Sequence, residues 1–200
     1  MANFKINQDI RQFYRQAETR DFTRDFLFRI QTAVLAGSRP GINTVITPED
    51  MLYCKTGQLP ARSITNVAVP YMGLNFNIPG NATYPGSEGY NLTWYMDSKS
   101  ELRNKLETAS RNVFNDETST GNYNTPTSEH YIEMVQLEKD LKPIMTYRLF
   151  GASIRNIDNV SYQIAEGTGQ TVELNTTISY HFYNAYPYEG ASDLNTDVIA

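Results

Sequence analysis

Residues 171–182 alternate between apolar and polar side chains more regularly than any other part of this sequence. Because successive side chains of a β-strand point to opposite faces, the alternation predicts a strand with one packed face and one wet face. Strands of this kind are typical of antiparallel sheets. The apolar set is Val172, Leu174, Ile178, Tyr180 and Phe182, and the polar set is Glu173, Asn175, Thr177, Ser179 and His181.

Several other short segments also have strand-like patterns and are separated by glycine and proline. Residues 64–69 and 74–78 predict a β-hairpin, because two alternating runs flank a short break that contains Gly73. Further strands are predicted at residues 26–35, 90–96, 131–137 and 144–150, with a continuation of the last one to residue 157 left open.

Two helices are predicted in addition to the strands. An N-terminal helix within residues 1–22 has an apolar face that suits packing against a neighbouring element or subunit, formed by Ile6, Ile10, Phe13 and Tyr14. A central helix at residues 99–114, with Ser98 or Ser100 as its N-cap, follows the strand that contains Trp94. The sequence therefore predicts one mainly antiparallel β domain over residues 1–200, with a polar loop at 116–128 and an acidic tail at 186–200.

Charge and residue counts argue against most kinds of chemistry. The chain has 17 basic and 22 acidic residues, so a general electrostatic attraction to nucleic acid is disfavoured. Its single cysteine, Cys54, and its two histidines, His130 and His181, form no catalytic or metal-binding pattern. We therefore expect a protein that is not an enzyme and needs no cofactor or metal. The charged N-terminus lacks the apolar core of a signal peptide, so export by the usual route is not expected.

Prolines interrupt the apolar strands between residues 51 and 80. Proline cannot donate to a β-ladder, so Pro60, Pro70 and Pro79 favour edge strands or extended loops over a buried central sheet. Exposed strand edges are suited to pairing with another subunit. We therefore predict self-assembly through this segment.

The same segment resembles the tail tube proteins of contractile-tailed bacteriophages, the myoviruses. The similar features are a Cys-Lys pair, a Leu-Pro pair, a strand, a glycine-containing turn and a return strand that closes at Ile78-Pro79-Gly80. Upstream, Asp21-Phe22 and the run from Phe26 to Ile30 are similar to the family's opening, and downstream Leu92–Asp97 is similar to its central Trp strand. The residues of the segment that carry the resemblance, which are also our predicted self-assembly residues, include Lys55, Leu59, Pro60, Ile64, Val67, Val69, Tyr71 and Gly73.

This resemblance implies a particular fold and assembly. The fold would be a two-sheet antiparallel β sandwich or barrel with an N-terminal and a central helix. The function would be that of a structural subunit of the virion tail, assembled in the host cytoplasm as stacked hexameric rings that form the conduit for genome ejection. The implied partners are the contractile sheath protein, the baseplate and tail terminator proteins, and viral DNA that passes through the lumen without specific binding.

The polar set of the last strand is predicted to line that lumen. Glu173, Asn175, Thr177 and Ser179 offer DNA phosphates no cation, whereas an outer surface normally carries many long charged side chains. An ordinary solvated sheet face is the alternative interpretation.

Three other functions remain compatible with the sequence. The chain could form a baseplate-proximal initiator ring, or the tube of a type VI secretion-like system, which shares the fold. In a different class, it could be a monomeric β-sandwich binding module that uses a tyrosine-rich surface around Tyr180, Tyr183, Tyr186 and Tyr188.

Overall fold

Two four-stranded antiparallel sheets form the body of the protein in a computed structural model, which describes residues 11, 12, 14, 15, 23–37, 46–121, 129–163 and 169–187. The strands of the body are β1 (Phe28–Val34), β2 (Cys54–Thr56), β5 (Tyr90–Tyr95), β8 (Tyr131–Leu137), β9 (Pro143–Phe150), β10 (Ser153–Ile157), β11 (Glu173–Ser179) and β12 (Phe182–Pro187). A long hairpin of β3 (Ser63–Tyr71) and β4 (Leu74–Thr83) and a short one of β6 (Phe114–Asn115) and β7 (Thr120–Gly121) complete the strands. The helices are α1 (Pro48–Met51) and α2 (Glu101–Val113).

The first sheet has the order β1-β8-β9-β12 and the second has the order β10-β11-β5-β2. Their inner faces share one hydrophobic core, in which Ile132 and Leu149 of the first sheet belong to the same cluster as Trp94 of the second. Burying a large apolar side chain stabilises the fold by roughly 1.5–3 kcal/mol, so this core dominates stability. The indole Nε1 of Trp94 donates to Thr176 Oγ1 at 2.9 Å, which satisfies both polar groups inside the core. The predicted mainly β, antiparallel fold is confirmed.

The predicted alternation of the first strand is wrong. A β-bulge lies between Ile30 and Thr32 in the pairing of β1 with β8. Because the bulge adds one residue, Ile30 and Ala33 both face the core, and the pattern changes partway along the strand. Phe26, predicted to begin the strand, lies before β1 and has 65% of its surface exposed.

The strand predicted at 171–182 is divided between the two sheets, and so is the segment 144–157, in which the continuation beyond residue 150 was left open. The chain leaves the first sheet after β9 and enters the second at β10, and it returns between β11 and β12. The two segments that pass between the sheets are in contact, because the backbone N–H of His181 donates to the carbonyl of Phe150 at 2.8 Å. Gly151 has a φ of +69°, and a Cβ there would lie 2.1 Å from Cδ2 of His181. Only glycine fits this crossing without displacing the His181 ring.

The central helix α2 is present with Ser100, one of the two predicted serines, at its N-cap position, but the Ser100 side chain makes no cap hydrogen bond. The Asp97 carboxylate instead accepts hydrogen bonds from the backbone N–H groups of Lys99 (3.2 Å) and Glu101 (3.0 Å). Ser100 has a left-handed backbone with a φ of +55° and makes no side-chain cap. The helix buries Leu102, Leu106 and Ala109.

An ion pair with little exposure joins the two helices. Lys105 Nζ of α2 lies 2.6 Å from Asp50 Oδ2 of α1, and each side chain is 12% exposed. The backbone N–H of Thr47 also donates to that carboxylate, at 2.7 Å, as part of a capping box. Burial alone would raise the pKa of Asp50, but the hydrogen bonds from Lys105 and Thr47 and the positive charge of Lys105 hold the pKa below its ordinary value.

The structure describes only parts of the remaining predicted regions. Residues 11, 12, 14 and 15 are helical, and Tyr14 is 67% exposed, whereas Ile6, Ile10 and Phe13 lie outside the described residues. The polar loop begins with the short β6–β7 hairpin, and its residues 122–128 lie outside the described part, as do residues 188–200 of the tail. No helix within the described ranges is long and apolar enough to cross a membrane.

Candidate assembly surfaces

The hairpin of β3 and β4 closes through a two-residue turn at Met72-Gly73. Both turn residues have a positive φ, +49° and +79°, as a type I′ turn requires. This turn matches the right-handed twist of the two strands and sets their register, in which Tyr71 pairs with Leu74. The predicted hairpin is therefore confirmed, and both of its strands are longer than predicted.

The hairpin projects from the body of the subunit. Every residue of β3 and β4 is exposed, and the two strands pack chiefly on each other. Two-stranded hairpins are marginally stable in water unless they pack against something else. Both outer edges of the hairpin are open, because β3 and β4 form a two-stranded sheet. Pro70 and Pro79, which cannot donate to a β-ladder, therefore cost no hydrogen bond to a further strand.

The cross-strand pairs of the hairpin lie alternately on its two faces. The pairs Ala68–Asn77 and Pro70–Asn75 lie on one face, which is small and polar. The pairs on the opposite face are all apolar, and their side chains are between 41% and 64% exposed. We call this second surface the apolar hairpin face; it consists of Val67, Val69, Tyr71, Leu74, Phe76 and Ile78.

The predicted self-assembly residues are not all on this surface. Val67, Val69 and Tyr71 lie on the apolar hairpin face, and Gly73 forms the turn. Ile64 lies beyond a register shift between Ile64 and Asn66, so it is outside the run of paired apolar residues. Leu59, 52% exposed, and Pro60 belong to the connection between β2 and β3. Leu74, Phe76 and Ile78 were missing from the prediction, although the alternation of the return strand could have identified them.

The outer face of the second sheet carries the predicted polar set. Asn175 Oδ1 accepts a hydrogen bond from Thr93 Oγ1 at 2.9 Å, and Thr177 Oγ1 donates to Asn91 Oδ1 at 2.9 Å. The hydroxyls of Ser179 and Ser153 are 2.8 Å apart. The other side chains of β11, from Leu174, Thr176 and Ile178, are buried, so the predicted division into two faces is confirmed. We call this surface the polar sheet face; it consists of Lys55, Asn91, Thr93, Ser153, Glu173, Asn175, Thr177 and Ser179.

The side chain of Lys55, one of the predicted self-assembly residues, lies on the polar sheet face and not on the hairpin. Its Nζ lies 2.5 Å from Glu173 Oε1 and 5.6 Å from the centre of the Tyr95 ring. The hydrogen bond to Glu173 raises the pKa of Lys55 above its ordinary value. The ammonium is therefore fully charged at neutral pH, and its charge is opposed by an adjacent carboxylate.

The side chains considered for catalysis have structural roles. Burial raises the pKa of Cys54 to about 12, and its thiol donates to the carbonyl of Thr56, so the thiol is a poor nucleophile. No group of three or more potential metal ligands occurs among the described residues. Tyr180 is buried and packs edge to face with Tyr90, and the half-buried Tyr183 packs edge to face with Tyr84, so these two add little to the tyrosine-rich surface considered above. Tyr186 is exposed, and Tyr188 lies outside the described residues.

Comparisons with known proteins give a consistent result. The sequence profile of the family described as phage tail tube protein matches residues 17–193. No curated protein matches the chain. The tube-terminating cap of the anti-feeding prophage has a similar structure, with a TM-score of 0.53 and 8% identity over 83% of this chain and 91% of that one. The sheath/tube terminator of an extracellular contractile injection system has a TM-score of 0.50 and 12% identity, over 82% of this chain and 96% of that one. At these identities the likeness shows the fold.

Proposed function

The chain belongs to the phage tail tube protein family, and we propose that six copies of it close into a ring and that these rings stack into the tube of a contractile tail. Members of this family are structural components of the virion tail and not enzymes. The observation that carries the proposal is the apolar hairpin face, which a single subunit leaves exposed.

A second copy of the chain is the partner that we assign to the apolar hairpin face. Its six large side chains form a contiguous apolar strip, and such strips on soluble proteins mark interaction sites. A tube subunit must bind its own copies on several sides, so each hairpin can pack on a neighbour around the ring or along the tube axis. The N-terminal helix adds a second contact through Ile6, Ile10, Phe13 and Tyr14 in this proposal.

The polar sheet face is assigned to the lumen. Its side chains are short or charge-paired, and they include Glu173, Asn175, Thr177 and Ser179. A wall of this kind lets viral DNA pass without specific binding, because affinity for DNA grows with each phosphate that a cation neutralises. The outside of the tube then remains available to the contractile sheath protein.

Further partners follow from the place of a tube in a tail. A baseplate protein would begin the tube and a terminator would end it, and assembly would take place in the host cytoplasm. The fold similarity to a tube-terminating cap and to a sheath/tube terminator supports a tube, but the same fold would serve an initiator ring near the baseplate or a type VI-like tube.

Size-exclusion chromatography with light scattering tests this function. A tube subunit should give rings or longer assemblies, with masses that are multiples of the 22.7 kDa subunit and that increase with concentration. A species that stays near 22.7 kDa at all concentrations would instead support the monomeric binding module.

A further inference from the structure

The polar sheet face carries one ammonium group, and its position is fixed by contacts from distant parts of the chain. Lys55 extends from the edge strand β2 across β5 and reaches Glu173 on β11, a residue 118 positions away. The side chains of Lys55 and Glu173 are 37% and 38% exposed, so a ligand passing over the sheet could reach both. The Tyr95 ring lies beneath the ammonium and supports its position.

The two threonine hydroxyls on this face are also occupied within the chain. The hydroxyls of Thr93 and Thr177 donate to the side-chain oxygens of Asn175 and Asn91. At the edge of the sheet, Arg155 Nη1 donates to the carbonyl of Glu88 at 2.6 Å and lies 3.5 Å from the carboxylate of the same residue. Lys55, Arg155 and the two threonine hydroxyls are therefore directed toward protein acceptors.

We propose that Glu173 masks the charge of Lys55, so that the polar sheet face does not bind the phosphates of duplex DNA. This inference rests on the proposed function, in which DNA moves along that face. The carboxylate acts in two ways: it occupies the ammonium, and its negative charge repels an approaching phosphate. Lys55 can thus stay on the face, where it links β2 to β11, without acting as an anion-binding site.

General polyelectrolyte behaviour sets the size of the expected effect. For each cation that neutralises a phosphate, the logarithm of the DNA affinity falls by about 0.9 per tenfold increase in salt. One such cation therefore raises the affinity about threefold when the salt is lowered from about 200 mM to about 50 mM. Several subunits in a ring would present the same cation, so the effect in a tube would be larger than in one subunit.

Glu173→Gln tests the mask, because it removes the charge and keeps an oxygen that can accept from Lys55. A matched control is Glu138→Gln, which changes net charge by the same amount at an exposed turn after β8. Binding of a fluorescently labelled duplex DNA to the full chain is measured by anisotropy over this salt range. We expect E173Q to bind at least threefold more tightly at the lowest salt, while E138Q and the double variant K55M/E173Q bind as weakly as the wild type.

The proposal is overturned if E173Q binds DNA no better than E138Q, or if K55M/E173Q binds as tightly as E173Q. The anisotropy measurement needs only the soluble subunit, so it remains informative if the protein never assembles, a result that would count against the proposed function alone. If tubes form, E173Q tubes should retain more DNA than wild-type tubes after a low-salt wash, and equal retention would also overturn the mask.

Discussion

A subunit that carries Val69→Lys together with Phe76→Glu should fold normally and fail to polymerise. These two positions form a cross-strand pair on the apolar hairpin face, and their side chains are 41% and 50% exposed in the single subunit. The new charges would be hydrated in the monomer and would attract each other across the ladder, so the hairpin should survive. Burying them at an interface costs several kcal/mol for each ion, so the critical concentration for assembly should rise at least about 100-fold.

Pelleting assays over a range of protein concentrations measure this effect, and thermal melting by circular dichroism checks the fold. The matched control is Ala68→Lys with Asn77→Glu, a cross-strand pair on the opposite face of the same hairpin. This control should keep most of the assembly. If the Val69 and Phe76 variant pellets like the wild type, the apolar hairpin face is not the interface.

Lys105→Met should destabilise the fold by about 3 kcal/mol, because it leaves the carboxylate of Asp50 mostly buried without its partner. The double variant D50N/K105M should recover most of this loss, since no unpaired charge remains. Urea unfolding of the wild type, both single variants and the double variant gives the coupling energy directly. Equal stability of the K105M and D50N/K105M proteins would show that the ion pair does not hold α1 on α2.

The ion pair of Asp50 with Lys105 also predicts how the free energy of unfolding changes with pH. The folded pKa of Asp50 lies below its ordinary value of 3.8, so the stability that this carboxylate contributes is present above that value. The contribution is lost as the pH falls through the folded pKa. The stability advantage of the wild type over D50N/K105M should therefore be constant near neutral pH and should shrink at a pH below about 4.

Local patterns in the sequence predicted a substantial part of the fold. The alternation in β5 and β11 and the Met72-Gly73 turn depend on neighbouring residues, so these elements could be identified from the sequence. The bulge in β1 and the crossing at Gly151 could not, because both depend on contacts with distant strands. The helix cap was missed although it is local, because Asp97, Ser98 and Ser100 are all possible caps and the backbone conformation, which is left-handed at Ser100, is not readable from the sequence.

The candidate surfaces were predictable to different degrees. Val67, Val69 and Tyr71 were predicted as self-assembly residues from the apolar strands that prolines interrupt and from the family resemblance, and the structure places them on the apolar hairpin face. The ion pair of Lys55 with Glu173 was not, since it requires the strand order β11-β5-β2, which alternation alone does not give. Sequence patterns indicate which face of a strand is polar, whereas strand order decides which charges on that face meet.

Electron cryomicroscopy of the concentrated, purified protein tests the central claim most directly. We expect a hollow tube of stacked six-fold rings, in which the apolar hairpin face of each subunit packs on a neighbouring copy and Glu173, Asn175, Thr177 and Ser179 face the channel. Particles no larger than a single subunit, or a filament in which the hairpin extends into solvent and the polar sheet face lies on the outside, would contradict it.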